Sequence, residues 1–509
     1  MGMAQQVNGL DEAINNKFSP IADWWESFVL TSIPITDSVS LPIVLILLIG
    51  GATFFTFYFR FVNVRRFVLA INTVRGKYDK IDHVEAMPGD TVNVVDGDIV
   101  DTIRDEGRNG EVSHFQALSA AVSGTVGLGN IAGVAIAIVI GGPGATFWMI
   151  LAGLLGMSSK FVECTLGVAY RDVDKTGRVY GGPMYYLSKG LKQLGFGGFG
   201  KGLAVLFAIL CVGGSFGGGN MFQSNQAAAQ VITQFGIQSG FAGTLMGLFM
   251  AFLVAIVIIG GIKRIGNVAE RIVPFMAIMY VASALAVIIM NYSQIGNAFI
   301  LIIKEAFFPT AVAGGLVGTI VTGFRRAAFS NEAGVGSAAI AHSAVKTRYP
   351  ASEGIVALLE PFIDTVVICT MTALVIIITG NYINPDGLNG VDLTSRAFDT
   401  SIPGASYILT LAIVLFAFST MLSWSYYGLQ SWMYLFGRSR LVDLTYKVLF
   451  LIFIIIGAAS SLDAVLKFSD AMILAMVFPN MIGLLFLMPK VRTELKRYID
   501  AVLPGVTKQ

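Results

Sequence analysis

Long runs of apolar residues, separated by short polar stretches, fill most of the chain. Each run has roughly the 20 residues that a helix needs to cross a bilayer. Backbone polar groups in hydrocarbon must be paired within the structure, so these runs are predicted to be helices. The alternation of apolar and polar residues that is typical of strands is absent from them. We therefore predict an all-α membrane protein with about 11 transmembrane helices, at residues 41–59, 115–140, 145–170, 202–232, 241–262, 268–290, 312–345, 355–378, 407–436, 442–459 and 464–488.

The composition agrees with a membrane protein rather than a soluble one. Of 509 residues, 55% are hydrophobic and only 13% are charged, whereas a soluble chain carries about 25% charged residues. A net charge of +2 and the lack of a basic tract argue against a nucleic-acid partner, and no obligate protein partner is implied. The cysteines lie inside apolar runs and are interpreted as small buried residues, not as metal ligands or disulfide partners: Cys164, Cys211 and Cys369.

Lysine and arginine follow every odd-numbered span, which predicts the orientation in the membrane. Such clusters mark cytoplasmic ends, and the first and last of them contain Arg60, Arg65, Arg66, Lys490, Arg492, Lys496 and Arg497. The N-terminus is therefore expected outside and the C-terminus in the cytoplasm. The first 30 residues lack the features of a signal peptide, so the first span is expected to insert the protein.

Two groups of five spans remain when the first span is set aside, and each group opens with a helix that small residues interrupt. Residues 123–130 read Ser-Gly-Thr-Val-Gly-Leu-Gly-Asn, and residues 329–336 read Phe-Ser-Asn-Glu-Ala-Gly-Val-Gly. Halves with an odd number of spans insert with opposite orientation, and matching interrupted segments indicate a transport site. A broken helix frees amides that can hold a carboxylate and carbonyls that can coordinate a cation.

This arrangement predicts six parts of the chain. They are an extracytoplasmic segment (1–40), a leading transmembrane helix (41–60), a cytoplasmic loop (61–114), two inverted repeats of five helices (115–293 and 294–489) and a cytoplasmic tail (490–509).

Glycines also allow helices to pack closely, and this simpler interpretation is favoured at residues 217–219 and 314–315. Packing alone does not require Asn130, Asn331 or Glu332 at mid-membrane depth. The transport interpretation is therefore favoured for the two interrupted segments.

Several motifs resemble the alanine/glycine:cation symporter family over about residues 41–489. They are Gly-Glu-Val-Ser-His-Phe-Gln-Ala-Leu (110–118), Gly-Asn-Ile-Ala-Gly (129–133), Gly-Gly-Pro-Gly-Ala (141–145), Gly-Gly-Pro-Met-Tyr-Tyr (181–186), Gly-Asn-Met-Phe-Gln (219–223) and Phe-Ser-Asn-Glu-Ala-Gly (329–334). The resemblance implies sodium-coupled uptake of alanine or glycine across a bacterial or archaeal plasma membrane. It also implies a leucine-transporter type of fold with one extra leading helix.

The resemblance also implies roles for residues of the interrupted segments. The amides of Leu128 and Gly129 would face a substrate carboxylate, which glycine, L-alanine and D-alanine share, so the preference among them stays open. Gln223, on a polar stripe of its helix, would hydrogen-bond the substrate, although an interhelical bond is the alternative. The substrate-binding residues predicted in this way are Thr125, Leu128, Gly129, Gln223, Phe329, Ser330, Asn331 and Trp424.

Sodium would be coordinated by side-chain and carbonyl oxygens near both interrupted segments. Thr125 and Asn130 would serve one ion, and the carbonyls of Ser123 and Val126 a second. The complete predicted set is Ser123, Thr125, Val126, Asn130, Asp364, Ser419 and Thr420. Asp364 enters it because intramembrane charges are costly and are functional candidates.

Charges within the spans leave an alternative open. Five charged residues on the seventh and eighth spans form either an ion-pair network or a functional cluster: Arg325, Arg326, Glu332, Glu360 and Asp364. Proton-coupled transport through Glu332, Glu360 and Asp364 is therefore a rival to sodium coupling.

Other titratable residues receive local interpretations. Lys160 and Glu163 are predicted to pair with each other, because they lie three residues apart. His83 and His114 fall in the cytoplasmic loop. His342 near a helix end is interpreted as a satisfied packing residue rather than a proton relay, although it leaves proton coupling open as an alternative.

Two further classes of protein are less favoured. An ion channel would need a pore loop or a ring of charges. Residues 213–217 match the G-x-S-x-G pattern of serine hydrolases but lie in an apolar helix, so an enzyme is not expected. The polar, acidic stretch between Gly76 and Glu111 is longer than is usual in the family, and it is interpreted as a solvated loop in which a small hairpin can form.

Overall fold

The structure is a computed structural model that describes residues 10–36, 39–82, 111–174, 177–310, 315–383 and 385–503. Within these ranges seven helices are long and apolar enough to cross a membrane, and a pair bent by 52° makes an eighth. The prediction of an all-helical membrane protein is confirmed, apart from two hairpins of two short strands each.

The N-terminal part is a surface helix followed by a hairpin and the first apolar helix. Its elements are α1 (Leu10–Val29), β1 (Ser32–Thr36), β2 (Val39–Pro42), α2 (Ile43–Tyr58), α3 (Val62–Arg65), α4 (Phe67–Val74) and α5 (Asp79–Asp82). β1 and β2 pair antiparallel with Ser32 opposite Pro42. The sequence analysis did not predict α1.

The middle part contains the first bent pair and three regions in which α-helix changes to π-helix. Its elements are α6 (His114–Thr125), a π segment (Gly129–Gly133), α7 (Val134–Gly141), α8 (Ala145–Ala169), β3 (Asp172–Val173), β4 (Val179–Tyr180), α9 (Pro183–Tyr185), a π segment (Tyr186–Gly190), α10 (Leu191–Gln193), α11 (Gly197–Phe216), a π segment (Gly217–Met221), α12 (Phe222–Phe235), α13 (Ala242–Ile258) and α14 (Gly261–Met290).

The C-terminal part contains the second interrupted helix and the longest helices. Its elements are a 3₁₀ turn (Tyr292–Gln294), α15 (Ile295–Phe307), α16 (Gly315–Asn331), α17 (Ala338–His342), α18 (Pro350–Val356), α19 (Leu359–Pro361), a π segment (Phe362–Cys369), α20 (Thr370–Thr379), α21 (Gly390–Ser401), α22 (Ala405–Phe436), α23 (Arg440–Ala459) and α24 (Leu462–Val502).

Local sequence sets the start of the first interrupted helix. Ser113 and Gln116 form a capping box, in which Ser113 Oγ accepts from Gln116 N at 3.2 Å and Gln116 Oε1 accepts from Ser113 N at 3.1 Å. A polar cap of this kind contributes about 1 kcal/mol. It satisfies amides that would otherwise be unpaired at the point where the helix begins.

Small residues bring the helices of the core into close contact. A Cβ added at Gly354 would lie 2.0 Å from Thr165 Oγ1, which lies on α8, and one added at Gly219 would lie 2.1 Å from Trp424 Cγ. Close approach at small residues is the usual basis of helix packing in membranes. The packing interpretation of Gly217, Gly218 and Gly219 agrees with these distances.

Ten of the predicted spans coincide with apolar helices or with a bent pair of them. The span predicted at 312–345 corresponds to α16 and α17, which are not among the apolar helices found in the described residues. The count of 11 spans nevertheless stays a prediction, as do the inverted repeat and the domain boundaries, because α2 and α13 are shorter than the helices that clearly suffice to cross a membrane. Most of the predicted hairpin region within residues 76–111 lies outside the described residues.

Candidate functional site

The first interruption lies between α6 and the π segment that follows it. α6 ends at Thr125, and the chain resumes a helical path at Gly129 after a bend. The amide of Gly127 donates to Asn130 Oδ1 at 2.9 Å, and the amide of Leu128 donates to Gln223 Oε1 at 3.0 Å. Side-chain amide oxygens therefore satisfy two of the backbone N–H groups that the interruption leaves without helical partners.

The second interruption lies between α16 and α17 and depends on backbone conformations that favour glycine. Glu332 has a φ of 54°, and Gly334 and Gly336 have φ values of 89° and 95°. A non-glycine residue in this left-handed region costs about 1–2 kcal/mol. Trp424 Nε1 donates to Glu332 Oε1 at 2.9 Å and Ser337 Oγ donates to Glu332 Oε2, so two side chains hold the strained residue.

The two interruptions meet at the buried carboxylate of Asp364. Its Oδ1 accepts from Asn130 Nδ2 at 2.6 Å, and its Oδ2 accepts from Ser330 Oγ at 2.8 Å and Thr365 Oγ1 at 2.7 Å. Asp364 has no exposed surface. Every partner is a neutral donor, and among the described residues no basic side chain pairs with it. A buried carboxylate with hydrogen bonds but no counter-charge favours a cation beside it.

Hydroxyl groups join α6 to α22 next to the first interruption. Thr420 Oγ1 donates to the carbonyl of Ser123 at 3.0 Å, and Ser123 Oγ donates to the carbonyl of Ser419 at 3.0 Å. A Cβ added at Gly127 would lie 2.4 Å from Thr420 Oγ1, so only glycine allows this approach. The pattern brings three of the predicted sodium ligands into contact: Ser123, Ser419 and Thr420.

Aromatic rings cover the side of the interruptions that faces α12 and α22. Phe329 packs edge-on against Phe222 with ring centroids 4.9 Å apart. Trp424 packs on Gly219, where no side chain fits between them. Phe329 is 5% exposed and Trp424 1%. Both rings are therefore buried beside the interruptions.

The structure brings the predicted substrate and sodium residues together, and most of their polar atoms already have protein partners. Gln223 contacts the Leu128 amide and also donates through Nε2 to the carbonyl of Gly218 at 2.9 Å. Asn331 donates to Thr365 Oγ1 at 2.9 Å and accepts from Ala333 N at 3.0 Å.

The hydroxyls of Thr125 and Ser419 bond to carbonyls of their own helices. Thr125 Oγ1 donates to the carbonyl of Ala121 at 3.3 Å, and Ser419 Oγ donates to the carbonyl of Phe416 at 3.0 Å. Each of these oxygens keeps its lone pairs while it donates, so both hydroxyls can coordinate a cation without losing the bonds seen here.

The local pair predicted between Lys160 and Glu163 is wrong. Lys160 Nζ lies 3.0 Å from Glu360 Oε1, on another helix, and Glu163 Oε1 instead accepts from Asn480 Nδ2 at 2.8 Å. Both α8 side chains are fully buried. Tertiary packing therefore decides the pairing, because a charge removed from water must lie next to an opposite charge.

The charges of the seventh and eighth predicted spans do not form one cluster. Arg325 pairs with Glu26 of α1 at 2.6 Å and with Asp470 of α24 at 2.8 Å, and Arg326 also contacts Asp470. Glu360 pairs with Lys160, Glu332 accepts from Trp424 and Ser337, and Asp364 accepts from the neutral donors described above. The ion-pair interpretation therefore fits the arginines but not Asp364.

One histidine interpretation needs correction. His114, expected in a loop, is the first residue of α6, is 4% exposed and contacts Glu353. His342 is buried at the end of α17, as expected of a satisfied packing residue, and its Nδ1 lies 2.5 Å from Glu353 Oε1. His83 lies outside the described residues.

Sequence reasoning missed Thr365, Thr372 and Cys369 as neighbours of the interruptions. Thr372 Oγ1 donates to the carbonyl of Asn130 at 2.7 Å, and Cys369 Sγ lies 3.3 Å from Asn130 Nδ2. Asp364 and Thr365 are adjacent polar residues in an apolar run, and that was a usable signal. Nothing in the sequence indicated the π segment (Phe362–Cys369) that precedes Thr372 in the chain.

Two interrupted helices that meet in a buried polar centre define the class of multi-pass membrane transporters. The chain belongs to the sodium:alanine symporter family, whose model matches residues 26–508. Members of this family are transporters and not enzymes.

Named relatives agree with this assignment. The chain is 40% identical over 460 residues to the sodium/alanine symporter AgcS of Methanococcus maripaludis, covering 90% of this chain and 94% of that protein. It is 36% identical over 390 residues to the probable sodium/glutamine symporter GlnT of Bacillus subtilis, covering 76% and 78%. It is 33% identical over 461 residues to the amino-acid carrier protein AlsT of Bacillus subtilis, covering 90% and 89%.

Among solved structures, the chain is similar to MhsT in complex with L-phenylalanine. The TM-score is 0.48 and the identity 18%, over 76% of this chain and 100% of that one. The leucine-transporter type of fold stays a prediction from the sequence.

Proposed function

We propose that this protein imports a small neutral amino acid together with sodium by alternating access. The observation that carries the proposal is the carboxylate of Asp364, buried between the two interruptions and bonded only to neutral donors. A cation bound there would balance its charge and would contact both interrupted helices. Occupancy of the site would then favour the arrangement in which the two interruptions are close together, and this links the ion to the transport cycle.

The sodium positions of the proposal follow the two contact regions around the interruptions. Asp364, Asn130 and Thr125 would hold one ion, with oxygens of the hard type that sodium prefers. The carbonyls of Ser123 and Val126 and the hydroxyls of Ser419 and Thr420 would hold a second. The hydrogen bond from Thr420 to the Ser123 carbonyl supports the second position, because it brings two of these four oxygens together.

The substrate position of the proposal is the first interruption, where Gln223 Oε1 already accepts from the Leu128 amide. A substrate carboxylate would replace this oxygen and receive the N–H of Leu128 and Gly129, as anions do at helix N-termini. Phe329 and Trp424 would enclose a short side chain, with Ser330 and Asn331 beside it. One methylene changes affinity by only about 1–3 kcal/mol, so alanine and glycine are both expected to be carried.

The orientation of the proposal follows the positive-inside rule, with the N-terminus outside, the C-terminus inside and the protein in a plasma membrane. Alternating access would then move the two predicted repeats relative to each other around the fixed site.

Proton coupling is the second candidate, and one observation favours it. The three hydrogen bonds of Asp364 come from neutral groups, so a proton can neutralise the carboxylate as a sodium ion would. Glu360 is less suited, because Lys160 already balances its charge. Glu332 is buried and bonded to the neutral donors Trp424 and Ser337, so it is a second candidate proton carrier.

The test is uptake of labelled alanine into liposomes that contain the purified protein. An inward sodium gradient should produce accumulation, and replacing it with potassium or with an inward proton gradient should abolish accumulation. Uptake of glycine and of glutamine should be measured in parallel. A pocket for short side chains should accept glycine and exclude glutamine, whereas a wider pocket should accept both. Accumulation driven by protons alone would reject sodium coupling. Accumulation of glutamine but not alanine would reject the assigned pocket.

A further inference from the structure

A line of buried titratable side chains runs beside the candidate site without belonging to it. Glu353 contacts His114 Nδ1 through Oε2, and through Oε1 it lies 2.5 Å from His342 Nδ1. His342 Nε2 lies 3.4 Å from Glu360 Oε2, and Glu360 Oε1 lies 3.0 Å from Lys160 Nζ. Each of the five side chains is 4% exposed or less.

The position of His342 between two carboxylates indicates its protonation. Both ring nitrogens face a carboxylate oxygen, one on Glu353 and one on Glu360. A neutral imidazole has only one N–H, so its other nitrogen would turn a lone pair toward a carboxylate. With His342 as imidazolium, the positive charges of His342 and Lys160 balance the negative charges of their partners Glu353 and Glu360, provided that His114 is neutral. Buried charges are stable when they are paired in this way.

The arrangement of these side chains does not suit a metal ion. Among the described residues no group of three His, Cys, Asp or Glu side chains is placed to bind one. Several charged and titratable groups surround His342, directly or through these partners. They are Glu353 of α18, Glu360 of α19, His114 of α6, Lys160, Glu163 and Cys164 of α8, Glu332, and Tyr427 of α22.

His342 lies where the ends of the two interrupted helices are joined. It is the last residue of α17, and its partner Glu353 also contacts His114, the first residue of α6. Next to it the backbone of Glu111 donates to the carbonyl of Ala344 at 2.7 Å. These contacts close the side of the site that is predicted to face the cytoplasm.

Neighbouring bonds reinforce the same closure. The backbone of Lys346 donates to the carbonyl of Val112 at 2.8 Å, and Arg171 Nη1 donates to the carbonyl of Ser343 at 2.8 Å. The segments that precede α6 and follow α17 are therefore tied side by side.

We propose that His342 binds a proton as imidazolium and that this proton holds the inner closure of the transporter. Loss of the proton leaves a lone pair facing a carboxylate and an unbalanced negative charge, so the closure weakens. Acid pH on the inner side therefore favours the closed arrangement, and alkaline pH favours opening. The inference that opening releases the amino acid and the ion rests on the proposed function. The protonation of His342 does not depend on it. This proton is distinct from the ion that drives transport, because it does not contact Asp364 or either proposed sodium position.

The protonation is tested directly by nitrogen NMR of ring-labelled histidine in the unaltered protein, reconstituted in lipid. The chain has three histidines, so the variants His83→Asn and His114→Asn are enough to assign the signals. At about pH 8, where an exposed histidine is neutral, His342 should show two protonated nitrogens. A single protonated nitrogen on His342 at that pH would overturn the proposal. Neither result depends on which substrate the protein carries.

The effect on the closure is tested by the reactivity of a cysteine at Val345, which is fully buried and bridges to Val112. In detergent, the Val345→Cys protein should react with a polar maleimide several-fold more slowly at about pH 6.5 than the same protein carrying His342→Gln. At about pH 9 the two rates should lie closer together, because part of the imidazolium has then lost its proton. The ratio of the two rates removes the intrinsic pH dependence of the thiol. If the ratio between the rates of the two proteins were the same at both pH values, the proton would have no role in the closure. A failure of alanine uptake would leave both measurements interpretable.

Discussion

The substitution Asp364→Asn tests the proposed ion site most sharply, because it removes a charge while keeping the size of the side chain. The carboxylate accepts from Asn130 Nδ2, Ser330 Oγ and Thr365 Oγ1 at 2.6–2.8 Å. An asparagine keeps only one oxygen, so in either orientation its NH₂ group faces a donor. The hydroxyls can rotate toward the remaining oxygen, but the amide of Asn130 cannot become an acceptor without losing its bond to Gly127.

The expected effect follows from the loss of one charged ligand of the cation. A hydrogen bond or contact with a charged group contributes about 1.5–3 kcal/mol, which corresponds to a loss of about 10-fold to about 150-fold in sodium affinity. The assay is initial alanine uptake into proteoliposomes as a function of sodium concentration. The half-saturating sodium concentration should rise by that factor, while the protein still elutes as a single species from a sizing column.

A matched control separates the loss of the ion site from a general effect of removing a carboxylate. Asp443 pairs with Lys447 at 2.8 Å on α23, away from both interruptions, so Asp443→Asn should leave the sodium dependence unchanged. Equal half-saturating sodium concentrations for Asp364→Asn and the unaltered protein would refute the assignment of Asp364.

Further substitutions test the packing of Trp424 beside the proposed substrate position and the second ion position. Gly219→Ala puts a Cβ 2.1 Å from Trp424 Cγ. Because overpacking of this kind costs about 1–3 kcal/mol of folding stability, this variant should have a lower melting temperature and should lose uptake. Gly202→Ala, which meets nothing within 4 Å, should match the unaltered protein, and equal behaviour of the two variants would reject close packing. Thr420→Val removes the bond to the Ser123 carbonyl, so the half-saturating sodium concentration should rise by about tenfold, as for about 1.4 kcal/mol. The control Ser425→Ala, whose hydroxyl bonds within its own helix, should leave uptake unchanged, and an unchanged Thr420→Val protein would remove this residue from the site.

The sequence was sufficient to predict the parts of the molecule that follow from local chemistry. Hydrophobic runs predicted the helices, and glycine with polar neighbours predicted both interruptions. The φ of 89° at Gly334 and the close approach at Gly127 show why glycine was informative there. Candidate residues such as Asn130 and Asp364 were found because polar groups in an apolar run must have partners.

Partners from distant parts of the chain could not be predicted in this way. Lys160 has a carboxylate three residues away in Glu163, and helix spacing favoured that pair. In the structure it contacts Glu360, 200 residues along the chain, because α8 and α19 pack together. α1 was missed because its mixed sequence has no long apolar run, although it forms a helix whose Glu26 pairs with Arg325.

The most direct test of coupled transport is the movement of sodium driven by the amino acid. Coupling between two ligands is reciprocal, so an inward alanine gradient should drive labelled sodium into proteoliposomes against a sodium gradient. The same experiment with Asp364→Asn should show little sodium entry at low sodium concentration. Alanine entry without any sodium movement in the unaltered protein would contradict sodium coupling, since the amino acid would then cross alone or with another ion.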